Sequence, residues 1–548
     1  MNMNSASPPQ IIEYVLNGPV HPATVAAGGC GFLGLLASSV DGIQTAVGCA
    51  DVRALLAQTP FHHRIYTDAV HAQVVERQFG LPPPTDFDDL RSCIALQTGN
   101  VPESGNTDGS PSPGGQAAWI AARSRLATAV DALAAQPLAT LERNGLRFIY
   151  EQIERPLTTV TADMISRGLP IDGALLGEYV DGYATASQIA RSELQAVASN
   201  LKSLHAAAVQ RYFYDELGVP HDVDGKRSLV LDYLYEFAPR FPAVDAYCTL
   251  QHLQPLNAFL DNLSAACYGD VVHPRLDALG TVTGRYTATK PNLLAIPAEL
   301  RCLVKARPGM TLLEADYSQM ELRVLAQLSG DPTMTAVLSD PEGDIHRSTA
   351  ALVLAKPIAR VTAEEREKFG KTINFSIVFG TSDVGLARAM NISPTAAAEF
   401  IAAFYSRRPR LREWLQEQSQ GFGFGGEIRT MYGRRRVVGG TGSHAITRFN
   451  QIANNIIQGT ASDVFKLALL RLAAALPESS RIVLPLHDAV LIEAPEDGAE
   501  EVARIVRHAM EFPTPNFSVP LFANVSVGTS WAALSHLAVS ESNLCALS

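Results

Sequence analysis

No stretch of 18 or more uncharged apolar residues occurs in this chain of 548 residues, so no membrane-spanning helix is expected. No basic-then-apolar leader opens it either, and a secretory signal is not expected. The seven cysteines form no CxxC pair, which speaks against a disulfide or zinc scaffold and for a reducing, cytoplasmic compartment. Positive charge is scarce too, with a formal net charge of −11. That lowers the expectation of a nucleic-acid partner without excluding one, because such a partner needs only a local basic track. What is present is 47% apolar and 18% charged, the composition of a globular protein, and at about 150 residues per domain the length implies three or four domains.

The chain is organised around residues 311–326, TLLEADYSQMELRVLA. Residues 311–315 are mostly apolar, as in a buried strand, while Met320, Val324, Leu325 and Leu328 fall near the spacing of a helix's apolar stripe. Asp316 therefore sits at a strand-to-helix switch. Ser318, followed three residues later by Glu321, also fits a capping box, in which the two side chains satisfy free N–H groups at a helix start. A second stretch, RIVLPLHDAVLIEA at 481–494, reads as two apolar strands joined by a tight turn carrying His487 and Asp488. An Asp in a turn is ordinarily a turn residue. Two carboxylates delivered by adjacent strands to one end of a sheet, however, can hold a pair of Mg²⁺ ions about 4 Å apart, the arrangement that stabilises attacking and leaving oxygens in phosphoryl transfer.

DYSQMELR at 316–323, KTINFSIVFG at 371–380 and LHDAVLIE at 486–493 resemble, in order and at suitable separations, the three signature motifs of family A DNA polymerases, the bacterial DNA polymerase I type. TVTGRYTATKPNL, DIHRSTA and QGTASD match as well. The resemblance implies an α+β multidomain fold with a right-hand polymerase: thumb 151–277, palm 278–343, fingers 344–415, and a second palm part with a C-terminal tail at 416–548. It implies extension of a primer 3′ end with dNTPs on a DNA template, with pyrophosphate released. Two Mg²⁺ ions would be the cofactor and Mn²⁺ a substitute; primer–template DNA and dNTPs would be the partners of a monomer. By the same resemblance Asp316, Asp488 and the Tyr317 carbonyl are metal ligands, Gln319 and Glu321 border the nucleotide, and Glu321 crowds the sugar 2′ position. Arg285, in a polar turn with Thr283, Thr287, Thr289 and Asn292, is assigned to the primer–template, as is His487.

Lys371, Phe375 and Phe379 are spaced four apart and share one helical face. Core packing also produces such aromatic stripes, but a core face seldom carries a Lys in line. The resemblance puts Lys371 on the triphosphate as charge stabiliser and proton donor to pyrophosphate, Phe375 on the incoming base and sugar, and His346 on the phosphates. Phe379 stands where the family has Tyr. The family also carries an Arg one turn before the Lys, where this chain has Glu367 between Arg366 and Lys368. Glu367 there would repel a triphosphate, and a one-residue bulge would bring Arg366 round instead.

GGEIRTMYGRRRVVGG reads as a hairpin whose turn adds Arg434, Arg435 and Arg436 to a basic track, or leaves them as a solvated turn. In the helix beyond, Asn450, Asn454 and Gln458 recur at i, i+4 and i+8. Amides there are costly without partners. In a minor groove, where all base pairs present acceptors at similar positions, amide donors can check pairing without reading sequence. VPLFANVSVGTSWAAL reads as the closing strand, with 534–548 an unassigned tail.

Residues 1–150 alternate short apolar runs and resemble in arrangement the RNase H-like α/β domain of a 3′–5′ exonuclease, with a Gly/Pro/Ser-rich loop at 99–116. Its acids do not carry over. Val25, Ala26, Ala27, Gly28 and Ala72 stand where carboxylates are needed, while Asp86, Asp88 and Asp89 read as surface or cap residues. A degenerate domain without proofreading is expected. Two alternatives stand beside the polymerase reading. One is a single-subunit RNA polymerase, against which Glu321 argues; the other is a catalytically silent DNA-binding relative, suggested by Glu367 and by Ala489, where the family has Glu.

Overall fold

The computed structural model describes residues 137–537 apart from 223–224, 290, 379, 421–425 and 438–448, together with segments 10–16, 32–39, 42–47 and short pieces between 64 and 96. The loop at 99–116, residues 25–28 and Phe379 lie outside the described residues. Strands β1 (Gln10–Leu16), β2 (Phe32–Ser39), β3 (Gly42–Val47), β4 (Arg64–Tyr66) and β5 (Phe87–Asp89) form a sheet of order β3-β2-β1-β4-β5. β1 to β3 pair antiparallel, and β4 and β5 run parallel to β1. Arg91 anchors this region by a fork onto Asp277 at 2.6 and 3.0 Å. Asp89 is a buried cap rather than a surface residue, its carboxylate accepting from the Ser92 backbone N–H at 3.3 Å.

Two 25-residue helices follow, α1 (Gly173–Val197) and α2 (Pro242–Ala266), packed on each other. The C-terminal end of α1 and the N-terminal end of α2 share an apolar cluster with Val209, Phe213 and Leu234, so the stripe Val209, Tyr212 and Phe213 is core.

The second sheet is built on β6 (Met310–Tyr317). With β7 (Arg481–Leu486), β8 (Ala489–Pro495), β9 (Ala523–Gly528) and β10 (Ser535–His536) it has the order β7-β8-β6-β9-β10, antiparallel throughout. The tail thus opens with an edge strand. Leu312, Leu313, Ala315 and Tyr317 are all buried, which is why β6 reads as an apolar run instead of an alternation. Helices α3 (Met320–Ser329), α4 (Ile345–Val353) and α5 (Thr372–Val378) follow β6, and α6 (Phe449–Ala475) and α7 (Ala499–Glu511) flank β7 and β8 in the chain. α6 packs on α3 and α7 on β6 and β9.

The capping box expected at the start of α3 does not form. Gln319 adopts the left-handed conformation (φ 56°), the helix begins only at Met320, and Glu321 turns to Arg285 at 2.5 Å. Ser318 therefore lies outside the cap position. Arg323, buried to 2% exposure, holds the switch instead, donating to the carbonyls of Ser318 (2.7 Å), Leu338 (2.5 Å) and Pro520 (2.7 Å).

Candidate active site

Asp316, the penultimate residue of β6, is in register with Ala489 of β8 and Asn524 of β9. The β7–β8 turn has only His487 and Asp488 between the paired Leu486 and Ala489, and the Asp488 carbonyl accepts from the Tyr317 N–H at 3.2 Å. Two carboxylates therefore leave adjacent strands at the same end of the sheet. The Tyr317 ring is buried and its hydroxyl donates to the Met510 carbonyl at 2.7 Å, which pins the strand end and leaves its backbone at the site. Asp316 is open to the cavity, but desolvation by the surrounding protein first and Asp488 second push its carboxyl up to about 7. Burial also raises Asp488, opposed by its own backbone N–H, Arg285 and His487. Arg285 and His487 offset the rise at Asp488 only in part, and two carboxylates beside a main-chain carbonyl make an oxygen donor set suited to a hard cation such as Mg²⁺. Among the described residues no group of three or more His, Cys, Asp or Glu side chains is arranged to hold a metal. Ala489, buried opposite Asp316, adds no further carboxylate.

Asp316, Tyr317, Gln319, Glu321, His346, Arg366, Lys371, Phe375 and Asp488 line one cavity of about 350 Å³. The cationic wall depends on a local distortion, because Arg366–Lys371 is a π-helical turn. A π turn holds one residue more than an α turn, so Arg366, five residues before Lys371, comes round to the cavity as the bulge required. Gly370 makes this possible, since a Cβ there would lie 2.0 Å from the His346 carbonyl oxygen. Glu367 does not replace the missing Arg but lies between two cations, 2.6 Å from Arg366 and 3.0 Å from Lys371. Arg366 is also bonded to Asp344 at 2.6 Å, and Asp344 caps α4 by accepting from the Arg347 N–H.

The DNA polymerase family A profile matches residues 180–533. The chain belongs to DNA polymerase family A. It is similar to the thermostable DNA polymerase I of Thermus aquaticus, 32% identical over 412 residues that cover 70% of this chain and 48% of that protein. DNA polymerase I of Caldicellulosiruptor bescii is 32% identical over 415 residues, 72% and 48% of the two chains. The chain thus spans about half the length of the curated relatives it matches. Its fold is like that of the polymerase domain of Pol1 from M. smegmatis, solved in complex with DNA primer-template and dNTP, with a TM-score of 0.79 at 22% identity over 95% of this chain and 96% of that one.

In this family A chain the other expected residues lie around the cavity rather than in its wall. Arg285 reaches it through Glu321. Asn292 is exposed at the start of a 3₁₀ turn and His487 is exposed beside Asp488. Asn454 and Gln458 are partly buried one turn apart on α6, and Asn454 Oδ1 is buried without a partner; the side chain of Asn450, at the start of α6, lies outside the described residues. Arg435 pairs with Glu427, and Arg436 bonds Asn455.

Arg434 is a correction to the basic track. It is buried, 2.6 Å from Asp463 and paired with Glu154, while Lys466 Nζ lies 2.7 Å from Glu154. Two carboxylates make its burial tolerable. Burial opposes ionisation of Glu154, but Lys466 and Arg434 more than offset it and hold its carboxyl below the usual range. The network supports the turn that presents Arg285, because Gly284 (φ +77°) sits so close that a Cβ would lie 2.7 Å from the Arg434 guanidinium. Sequence reasoning missed Asn524, which lines the cavity; its signal was an exposed polar residue between Ala523 and Val525, both buried, in β9.

Proposed function

We propose that the chain is a DNA-templated DNA polymerase that extends a primer 3′ end with dNTPs and releases pyrophosphate, acting as a monomer. The observation that carries this reading is the single cavity that combines the Asp316–Asp488 carboxylate pair with Arg366, Lys371 and Phe375. In it the β6–β10 sheet is the palm, the helices of 344–415 the fingers, and α1 and α2 the thumb. Asp316, Asp488 and the Tyr317 carbonyl would hold two Mg²⁺ or Mn²⁺ ions, which when bound activate the primer hydroxyl and offset charge on the leaving pyrophosphate. The chain's own residues do the rest. Lys371 and Arg366 receive the triphosphate, Lys371 gives the leaving pyrophosphate its proton, and Phe375 stacks on the base and sugar. Asn450, Asn454, Gln458 and Arg285 contact the minor groove, with Arg435, Asn292 and His487 nearby on the DNA.

Glu321, fixed by Arg285, lines the cavity and takes the role of crowding the ribose 2′ hydroxyl in this reading. Glu321→Ala is expected to raise ribonucleotide incorporation relative to dNTPs, and Arg285→Ala to do so more weakly. Single-turnover incorporation of matched rNTP and dNTP pairs checks both, and unchanged selectivity in Glu321→Ala removes the steric role. Glu367 competes with triphosphate for Arg366 and Lys371. Glu367→Gln is expected to lower the dNTP KM roughly two- to fivefold, the scale of an exposed ion pair, with a smaller change in kcat; an unchanged or raised KM contradicts this.

The order β3-β2-β1-β4-β5, with its antiparallel β1–β3 and parallel β4–β5, supports an RNase H-like N-terminal domain. Ala72, at one of the positions that would need an acid, is buried, and Asp89 is occupied as a cap. A 3′-mismatched labelled primer with Mg²⁺ and no dNTP is expected to stay full length. Shortening that vanishes on deletion of residues 1–118 would demonstrate a nuclease in this domain.

The nucleotide-site reading is tested by equilibrium binding of each dNTP to the enzyme on a dideoxy-terminated primer–template. Only the dNTP complementary to the next template base should stabilise the complex. Equal stabilisation by all four, or none by any, overturns it.

A further inference from the structure

The imidazole of His346 is 4% exposed and lies against Phe375, with ring centroids 5.9 Å apart and planes tilted by 31°. Its Nδ1 faces Asn374 Nδ2 at 2.9 Å. Asn374 Nδ2 also faces the Ile345 carbonyl at 3.4 Å, and Asn374 Oδ1 lies 3.0 Å from Thr349 Oγ1. Thr349 Oγ1 in turn lies 3.0 Å from Arg408 Nη2. All four side chains are buried.

The direction of this chain is forced from both ends. A guanidinium has donors only, so Thr349 accepts from Arg408 and directs its own proton to Asn374 Oδ1. The Ile345 carbonyl only accepts, so the amide nitrogen of Asn374, not its oxygen, faces that side. Asn374 Nδ2 therefore donates to His346 Nδ1. An Nδ1 that accepts carries no proton, which leaves the single proton of a neutral imidazole on Nε2, the ring nitrogen left for the cavity that His346 lines.

We propose that Arg408, Thr349 and Asn374 form a positioning relay that locks His346 as a neutral Nε2–H donor to the phosphate oxygens of the incoming nucleotide. The ligand assigned here rests on the nucleotide-site reading above. Division of labour follows: Arg366 and Lys371 supply charge, and His346 supplies a directed hydrogen bond that does not titrate. Burial first, then Arg366, pull the imidazole down to about 4, against Asp344 and Glu367 and with a smaller push from Lys371. The donor is thus unchanged between about pH 6 and 8.

Asn374→Asp inverts the relay's last link. A carboxylate there draws a proton onto Nδ1, so that the ring becomes cationic at low pH and, once neutral, presents a bare Nε2 to the phosphates. The test is ¹⁵N-histidine NMR of the full chain, with His346 assigned by its loss in His346→Gln. The expected wild-type spectrum has an unprotonated Nδ1 and a protonated Nε2, constant from pH 6 to 8. Asp316→Ala, inactive in synthesis, should give the same ring state, so failure of the relay and failure of the polymerase reading are separable. Asn374→Asp should protonate Nδ1 and make the dNTP KM pH-dependent, about tenfold above wild type once the ring is neutral, the scale of one hydrogen bond to a charged acceptor. Thr349→Ser, which keeps the hydroxyl, should retain the wild-type ring state. A protonated wild-type Nδ1, or a wild-type ring that titrates between pH 6 and 8, overturns the proposal even if the variants fail to fold; so does an Asn374→Asp ring unchanged from wild type.

Discussion

Asp316→Ala and Asp488→Ala are each expected to reduce primer extension by about 10³-fold or more, the rate equivalent of the several kcal/mol that metal-assisted charge stabilisation contributes. The two acids leave adjacent strands at one sheet end, with desolvation first and the charge of Asp488 second raising Asp316, which stays open to the cavity, to about 7. Neither alone offers an oxygen set for a pair of divalent ions, so either loss should be as damaging as the other. DNA affinity should hold or tighten slightly, since a carboxylate removed is a phosphate repulsion removed. Quenched-flow extension and a filter-binding titration on the same preparations separate the effects. A mutant that extends at a rate comparable to wild type contradicts the assignment, as does parallel loss of DNA binding.

Glu154→Ala is expected to cost on the order of 3–5 kcal/mol of stability, the penalty for stripping a buried charge of its partner. Glu154 is 2% exposed and serves Lys466 and Arg434 together, so its removal takes from Lys466 the carboxylate that lies 2.7 Å away and leaves Arg434 with Asp463. Urea unfolding of the transition that includes α6 measures this directly. The same network distinguishes a structural Arg434 from one that touches DNA. Arg434→Ala should lower stability strongly, and at temperatures where it remains folded its DNA affinity and salt dependence should match wild type. A reduced salt slope with unchanged stability would return Arg434 to the DNA interface.

Local features of the site were legible because they are written in short periods. The apolar run before Asp316 became β6, the spacing from Met320 became α3, and the His487–Asp488 turn joined β7 to β8. Even the π turn was foreshadowed, since Glu367 in the place of an Arg required an extra residue and Arg366 stood ready beside it. Long-range partners were not legible. Arg434 meets Glu154 from 280 residues away, and nothing in GRRR distinguishes the arginine that turns inward from the two beside it. Ser318, three residues before Glu321, offers it a cap beside the nucleotide role that the resemblance implies, yet the left-handed Gln319 starts the helix late and Arg285, 36 residues earlier, takes the carboxylate. The polarity of the His346 relay needed Arg408 and Asn374 together, residues that neither motif nor periodicity connects.

Template-directed extension by the purified chain is the most direct measurement: a 5′-labelled primer on a template of defined next base, Mg²⁺, and one dNTP at a time. Addition of a single nucleotide only with the complementary dNTP, accompanied by pyrophosphate release and lost on chelation of the metal, is the predicted result. A chain that binds the same primer–template yet adds no nucleotide with any dNTP, with either Mg²⁺ or Mn²⁺, would contradict it.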